Sequence, residues 1–270
     1  MGDRGSDTGN SGEVVHLRTR GAATRRNGPR RRSRLLPTKG HLPTLSDPFS
    51  PATEQFRLLR VRVEELLGPR PEGGNAIAFT SPLPAEGKTS CSLTLAMIAA
   101  QDIHRGVIFV ECDLRVPSVA SMVDRPPREG IADVLAGRAE LEDVIISVEA
   151  PRNLRLILAG VPPANPVELL GSPRMAAVMD RLRRSCDLVV VDTPPALDFA
   201  DASELAPLLD GFMLVVRSGQ TPRDAMLTAH RRLSGYGVLG AVLNDLPRSR
   251  SPGYAYRYYR PRPDETDHHD

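Results

Sequence analysis

The stretch Phe79-Thr-Ser-Pro-Leu-Pro-Ala-Glu-Gly-Lys-Thr-Ser90 constrains this chain more than any other. It leaves an apolar run at 76–80 and opens into Ser90-Cys-Ser-Leu-Thr-Leu-Ala-Met-Ile-Ala-Ala100, a helix-forming composition. Strand, tight loop, Gly-Lys-Thr and helix together are the context a phosphate-binding loop requires. In such a loop the backbone N–H groups at the helix N-terminus face a phosphate, and the helix dipole favours the anion. Lys88 is placed to reach the β- and γ-oxygens, and the Thr89 hydroxyl to ligate Mg²⁺. Pro84, Ala85, Glu86, Gly87 and Ser90 make up the rest of the expected nucleotide cradle. Two positions depart from the commonest pattern. Pro82 stands where the first glycine falls, and Ala85 stands where a glycine lets the backbone approach phosphate most closely.

Two further segments end in acids. Gly106-Val-Ile-Phe-Val-Glu-Cys-Asp-Leu-Arg-Val-Pro117 reads as a buried parallel strand, apolar on both faces, followed by Glu111 and Asp113. Their spacing of two puts both on one side of an extended chain. Open α/β sheets place their ligand crevice at that end of the strand. Cys186-Asp-Leu-Val-Val-Val-Asp-Thr-Pro-Pro195 is a second such strand, ending in Asp192, which can hold Mg²⁺ through water. One strand-end acid is commonly only a turn residue. Three of them beside a Gly-Lys-Thr loop indicate a nucleotide site.

Strands are expected near 76–81, 107–112, 154–159, 187–192, 212–217 and 238–243, with helices over 87–102, 172–184, 202–209 and 222–235. This alternation implies an α/β fold, a mainly parallel, doubly wound sheet flanked by helices on both faces. Residues 49–246 form the domain. Residues 1–48 read as a disordered basic arm and 247–270 as a flexible tail, both rich in Arg, Ser and Pro. The arm holds ten basic and four acidic side chains, while residues 49–246 carry a net charge of −5, so the basicity is not the body's. Arg25, Arg26, Arg30, Arg31, Arg32 and Arg34 suit anionic lipid headgroups, nucleic acid or simple solubility. A net-acidic body makes nucleic acid an unexpected partner. No apolar run approaches the roughly 18–20 residues that span a bilayer, and the first residues lack the apolar region of a secretory signal. Cys91, Cys112 and Cys186 show no metal-ligand spacing and read as buried thiols of a reducing cytoplasm. The tail concentrates the phenols: Tyr254, Tyr256, Tyr258 and Tyr259 are four of the five tyrosines in a chain without tryptophan.

The order of the three elements resembles the bacterial tyrosine kinases of capsule and exopolysaccharide biosynthesis, in their cytoplasmic form. Thr80, Ser81, Pro84, Gly87, Lys88 and Thr89 match that family's phosphate loop, with Ala85 in place of its glycine. Asp113, Leu114, Arg115 and Pro117 match the second element, with Glu111 in place of its first aspartate. Asp192-Thr-Pro-Pro195 matches the third in full, and the likeness runs from about Glu54 to the C-terminal tyrosines.

The resemblance implies a P-loop NTPase fold, ATP and Mg²⁺ as cofactors, and phosphoryl transfer to tyrosine. Lys88, Glu111 and Asp113 take the catalytic roles, with the general base at Glu111. Thr89, Asp113 and Asp192 serve the metal, and Asn244 faces the base. Glu54, Arg57 and Arg60 match the signature used for ring-like homo-oligomer assembly; read without the family, that helix is a solvated face with one Glu–Arg pair. The four tail tyrosines become phosphoacceptors served in trans. A membrane-bound chain-length protein is the implied activator, holding the chain at the inner face of the membrane. The alternatives are a partitioning-type ATPase and a catalytically weak regulatory relative. Leu83, where partitioning ATPases carry a second lysine, and the tyrosine tail speak against the first; Ala85 and Glu111 keep the second open.

Overall fold

The computed structural model describes residues 32–36, 42, 47–70 and 72–247. The apolar runs become strands β1 (Asn75–Thr80), β2 (Val107–Glu111), β3 (Ile145–Ser147), β4 (Leu154–Ile157), β5 (Leu188–Asp192), β6 (Gly211–Arg217) and β7 (Val238–Asn244). They form one sheet in the order β3-β4-β2-β5-β1-β6-β7. Every pairing is parallel except β3 with β4. Side chains alternate between faces along each strand. Ile77 and Phe79 of β1 and Val190 of β5 therefore enter one apolar core, while Ala76, Ala78, Val189 and Val191 enter the other. Both faces are covered, which is why these strands are apolar throughout.

The helices are α1 (Pro51–Leu67), α2 (Lys88–Ala99), α3 (Ile131–Leu135), α4 (Leu141–Val144), α5 (Pro166–Leu170), α6 (Pro173–Ser185), α7 (Asp201–Leu205) and α8 (Arg223–Leu233). Helix α1 starts where its sequence demands: the Ser50 hydroxyl accepts from the Thr53 N–H at 3.1 Å and Pro51 fills the first turn. A cap of this type contributes about 1 kcal/mol. Helix α2 is buried from Cys91 to Ala99 and packs against β1, β2 and β5 as well as α1. Helices α6 and α8 bury Met175, Val178, Met179, Leu182, Ala229 and Leu233 in the core on the other face.

The expected doubly wound α/β architecture is the one observed. The short β3, α3, α4 and α5 were not expected; at three to five residues each they are too short to show a period. The 202–209 helix ends at Leu205 and continues as a 3₁₀ turn over Ala206–Leu208. The largest departure is in the arm. Residues 32–36, expected to be disordered, form β-bridges from Ser33 to Val148 and from Leu35 to Val123. The apolar Leu35 is buried, so this piece of the arm belongs to the fold. Residues 1–31, 37–41, 43–46 and 248–270 lie outside the described residues.

The active end of β4 depends on a close backbone approach. A Cβ on Gly130 would sit 2.2 Å from the Gly160 nitrogen and 2.4 Å from the Leu158 oxygen. Gly130→Ala must push these backbones apart, and overpacking of this kind costs about 1–3 kcal/mol. Denaturant unfolding is expected to show a loss of that size with an unchanged slope.

Candidate nucleotide site

The C-terminal ends of β1, β2 and β5 lie side by side because β5 sits between the other two. Cross-links fix their heights. The Cys112 N–H donates to the Asp192 carbonyl at 2.8 Å, the Thr193 N–H to the Phe79 carbonyl at 3.0 Å, and the Ala196 N–H to the Ser81 carbonyl at 2.8 Å. The three sequence elements, drawn from positions 79 to 195, therefore converge on one site.

The loop after β1 turns at Ala85 and Gly87, whose φ angles are 61° and 92°. Gly87 needs its lack of a side chain, since a Cβ there would lie 2.1 Å from the Asn244 amide nitrogen. Pro84 and Ala85 are exposed at the tip, whereas Glu86 is buried. Its carboxylate accepts from the Leu83 N–H at 2.9 Å and from the Thr221 hydroxyl. The Asn244 amide donates to the Glu86 carbonyl at 2.9 Å. Asn244, expected at the nucleotide base, thus braces the loop in the state described. Helix α2 then begins at Lys88 with no side-chain cap, and Ser90 lies in its first turn.

Lys88 and Thr89 each meet a carboxylate. The Lys88 ammonium is 2.7 Å from Asp113 Oδ2, and the Thr89 hydroxyl donates to Asp192 Oδ2 at 2.6 Å. Burial works to lower the Lys88 pKa, but the fields of Asp192, Asp113 and Glu111 and the hydrogen bond to Asp113 outweigh it, leaving it above the usual lysine value. Asp192 is fully buried, and that burial pushes its pKa up to about 7, against the opposing pull of Lys88 and Thr89.

Glu111 is turned inward. Oε1 accepts from the Ser118 and Val119 N–H groups at 2.7 and 2.8 Å, and Oε2 from the Ala159 N–H at 3.0 Å. Burial raises its pKa, with these backbone bonds working the other way. The longer side chain at this position reaches into the backbone behind the site. Asp113 keeps its place at the loop, Oδ1 accepting from the Val116 N–H at 3.1 Å. Arg115 is clamped by the buried Asp201 (Nη2 to Oδ2, 3.1 Å) and lies 4.2 Å from the centroid of Phe199. The motif contained Arg115, but nothing in the spacing could pair it with an aspartate 86 residues on, nor Glu86 with Thr221.

The donor set fits a hard cation held with a nucleotide. Asp192 Oδ1 is buried and has no hydrogen-bond partner, while Oδ2 is shared with the Thr89 hydroxyl. An orphaned carboxylate oxygen beside a hydroxyl suits Mg²⁺ directly or through water. Among the described residues no three His, Cys, Asp or Glu side chains form a cage, consistent with a cation that takes most of its ligands from phosphate and water. The expected metal residues Thr89, Asp113 and Asp192 are thus brought together; Glu54, Arg57 and Arg60 lie apart on α1. There Arg57 pairs with Glu54 at 2.9 Å and Arg60 with Glu64 at 3.0 Å. Cys91 and Cys112 are buried and Cys186 is half-buried, with burial pushing the Cys91 thiol up to about 12. The four tail tyrosines lie outside the described residues.

No protein-family model matches the chain. The tyrosine-protein kinase YwqD of Bacillus subtilis (strain 168) is 30% identical over 214 residues, covering 78% of this chain and 89% of YwqD. The chain belongs to the bacterial tyrosine kinases. Etk of Escherichia coli (strain K12), 31% identical, is far longer, and the chain spans 29% of its length. The solved kinase domain of Etk superposes with a TM-score of 0.69 at 30% identity, over 79% of this chain and 83% of that domain. The cell division ATPase MinD of Pyrococcus furiosus, at 23% identity and a TM-score of 0.53, shares the fold alone. Among the described residues no helix is long and apolar enough to cross a membrane.

Two outcomes follow for this kinase-family site. The left-handed region costs a non-glycine residue about 1–2 kcal/mol, part of which a glycine's freer unfolded chain takes back. Ala85→Gly is therefore expected to raise stability by about 0.5–1 kcal/mol in thermal unfolding, with nucleotide affinity equal or better. Asp192→Asn removes a charge buried at a cost. Because the folded pKa lies above the unfolded one, that cost is absent when both states are protonated and complete above pH 7. The variant's melting temperature is expected to exceed wild type at pH 8, and the advantage to shrink as pH falls towards 5. Its Mg²⁺-dependent gain in ATP affinity should be lost.

Proposed function

We propose that the chain transfers the γ-phosphoryl group of ATP to tyrosine hydroxyls, those of its own C-terminal cluster among them, in the regulation of capsular or exopolysaccharide biosynthesis. The observation that carries this reading is the convergence of Lys88, Thr89, Asp113 and Asp192 at the ends of three adjacent strands. Phosphoryl transfer needs little more from a protein than positioning and charge neutralisation. The loop N–H groups and Lys88 hold the phosphates; Thr89 and Asp192 hold the cation with support from Asp113. Mg²⁺, when bound, draws charge from the phosphate oxygens. Movement of the Lys88 ammonium from Asp113 to phosphate frees that carboxylate as the substrate arrives. We therefore place the proton acceptor at Asp113 and not at Glu111, whose two oxygens are engaged by three backbone N–H groups. A phenol with a pKa near 10 benefits from such assistance.

Helix α1 is the surface we assign to a ring-like assembly of copies. Glu54, Arg57 and Arg60 are half-buried there, and Leu58 and Leu66 are exposed. The intrahelical pairs contribute only ~0.2–0.5 kcal/mol each, so their charges are cheaply redirected to a neighbour. A membrane-bound chain-length protein as activator, and a cytoplasmic site at the membrane's inner face, complete the proposal. The arginines of the basic arm suit an added contact with anionic lipid.

Lys88→Ala is expected to lower ATP affinity and to abolish phosphate on Tyr254, Tyr256, Tyr258 and Tyr259, read by mass spectrometry after incubation with Mg-ATP and activator. Tyr236, between α8 and β7, should stay unmodified. A phosphate-free wild-type tail beside normal ATP hydrolysis would support a regulatory ATPase instead. Arg57→Glu with Arg60→Glu is expected to shift assemblies towards monomer in light scattering and to reduce phosphorylation in trans; unchanged assembly would remove α1 from the interface.

A further inference from the structure

The 111–124 segment is held from two sides, and the second holder comes from the arm. On the inner side, Glu111 binds the Ser118 and Val119 N–H groups. On the outer side, residues 33–36 run between 122–124 and 147–149, joined to them by isolated β-bridges. The Leu36 N–H donates to the Met122 carbonyl at 2.8 Å and the Asp124 N–H to the Arg34 carbonyl at 3.0 Å. Across the strap, the Ser33 N–H donates to the Ser147 carbonyl at 2.9 Å and the Glu149 N–H to the Ser33 carbonyl at 2.8 Å. Side chains reinforce the backbone. The Arg34 N–H donates to Asp124 Oδ1 at 2.8 Å, and the Arg34 guanidinium pairs with Glu149 at 2.8 Å. Leu35 and Leu42 are buried in the same apolar core as Met122, Val123, Ile146 and Val148.

We propose that residues 32–36 are a positioning strap for phosphoryl transfer: by clamping 122–124 against the edge of the sheet, they fix the loop that sets Asp113. The path runs back along the chain: the strap holds 122–124, Glu111 holds 118–119, and just before these the Val116 N–H donates to Asp113 Oδ1. The ATP-binding loop at 84–90 is braced independently by Glu86, Thr221 and Asn244. Loss of the strap therefore acts chiefly on the transfer step, while the loop that grips the nucleotide keeps its own braces. This assignment rests on the kinase reading above.

The test uses full-length protein carrying Leu35→Asp, which puts a charge in the strap's apolar socket, with Leu35→Met as the conservative control. Misplacement of a reacting group by about 1 Å costs up to about a hundredfold in rate. The expected result is a fall of about tenfold or more in kcat for tyrosine phosphorylation, with ATP affinity within about twofold of wild type and the Met variant near normal. A synthetic peptide of residues 30–42, added in trans, is expected to restore the rate. Hydrogen exchange gives a readout independent of activity: the Val116, Ser118 and Val119 amides should exchange faster in Leu35→Asp and slow again with the peptide. Unaltered exchange at those amides overturns the strap even if no phosphoryl transfer is seen in wild type. Loss of ATP affinity in parallel with kcat, or a peptide that protects nothing and restores nothing, also overturns it, leaving a segment that only supports the fold. Wild type that exchanges as expected but never phosphorylates tyrosine would refute the kinase reading and not the clamp.

Discussion

Three carboxylates and one ammonium share the buried ends of β1, β2 and β5, and the rest of the molecule is arranged around holding them there. Glu111, Asp113 and Asp192 are each at most 4% exposed, and Lys88 is the cation set among them. Charges cannot be left in such a place without partners. Each is met differently: Asp113 by Lys88, Glu111 by three backbone N–H groups, and Asp192 by the Thr89 hydroxyl alone. Asp192 is the least satisfied, which shows both in its orphaned oxygen and in a pKa displaced to about 7. The orphaned oxygen beside the Thr89 hydroxyl is what suits this position to a divalent cation.

This constraint also explains the features around the site that have no direct part in chemistry. Arg115 is anchored to the buried Asp201, so the chain leaves β2 in one direction only. Glu86 and Asn244 brace the phosphate loop from behind, which compensates for an alanine in a backbone conformation suited to glycine. Glu111 reaches one methylene further than an aspartate and spends that length on the 118–119 backbone. The two departures from the family pattern thus have a structural counterpart in this chain.

Much of this was legible in the sequence. The β1, β2 and β5 runs are apolar on both faces because the sheet is covered on both sides, so strand positions and the parallel arrangement could be read directly. Lys88 and Thr89 could be placed by the Gly-Lys-Thr loop, and Asp113 and Asp192 because they stand at or just past the ends of β2 and β5. What could not be read were contacts between distant segments: Arg115 with Asp201, Glu86 with Thr221, and the docking of 32–36. Composition predicted disorder for that piece of the arm, and its arginines do lie outward. Leu35 and Leu36 alone carried the opposite signal, and two residues are too few to define a strand. The inward turn of Glu111 was equally hidden, since it depends on N–H groups that the 118–119 backbone and Ala159 present only once folded.

The same fold carries MinD-type ATPases as well as tyrosine kinases, so the assignment lives in the site and not in the sheet. Its central claim is that the Lys88–Asp113 and Thr89–Asp192 pairs are the resting form of a Mg-ATP site. A crystal structure of the full-length protein with Mg²⁺ and a non-hydrolysable ATP analogue tests this most directly. The account predicts that Lys88 Nζ has left Asp113 for the terminal phosphates, with the cation beside Thr89 and Asp192. A nucleotide bound elsewhere, or bound at the loop with the 2.7 Å Lys88–Asp113 pair intact, would contradict it.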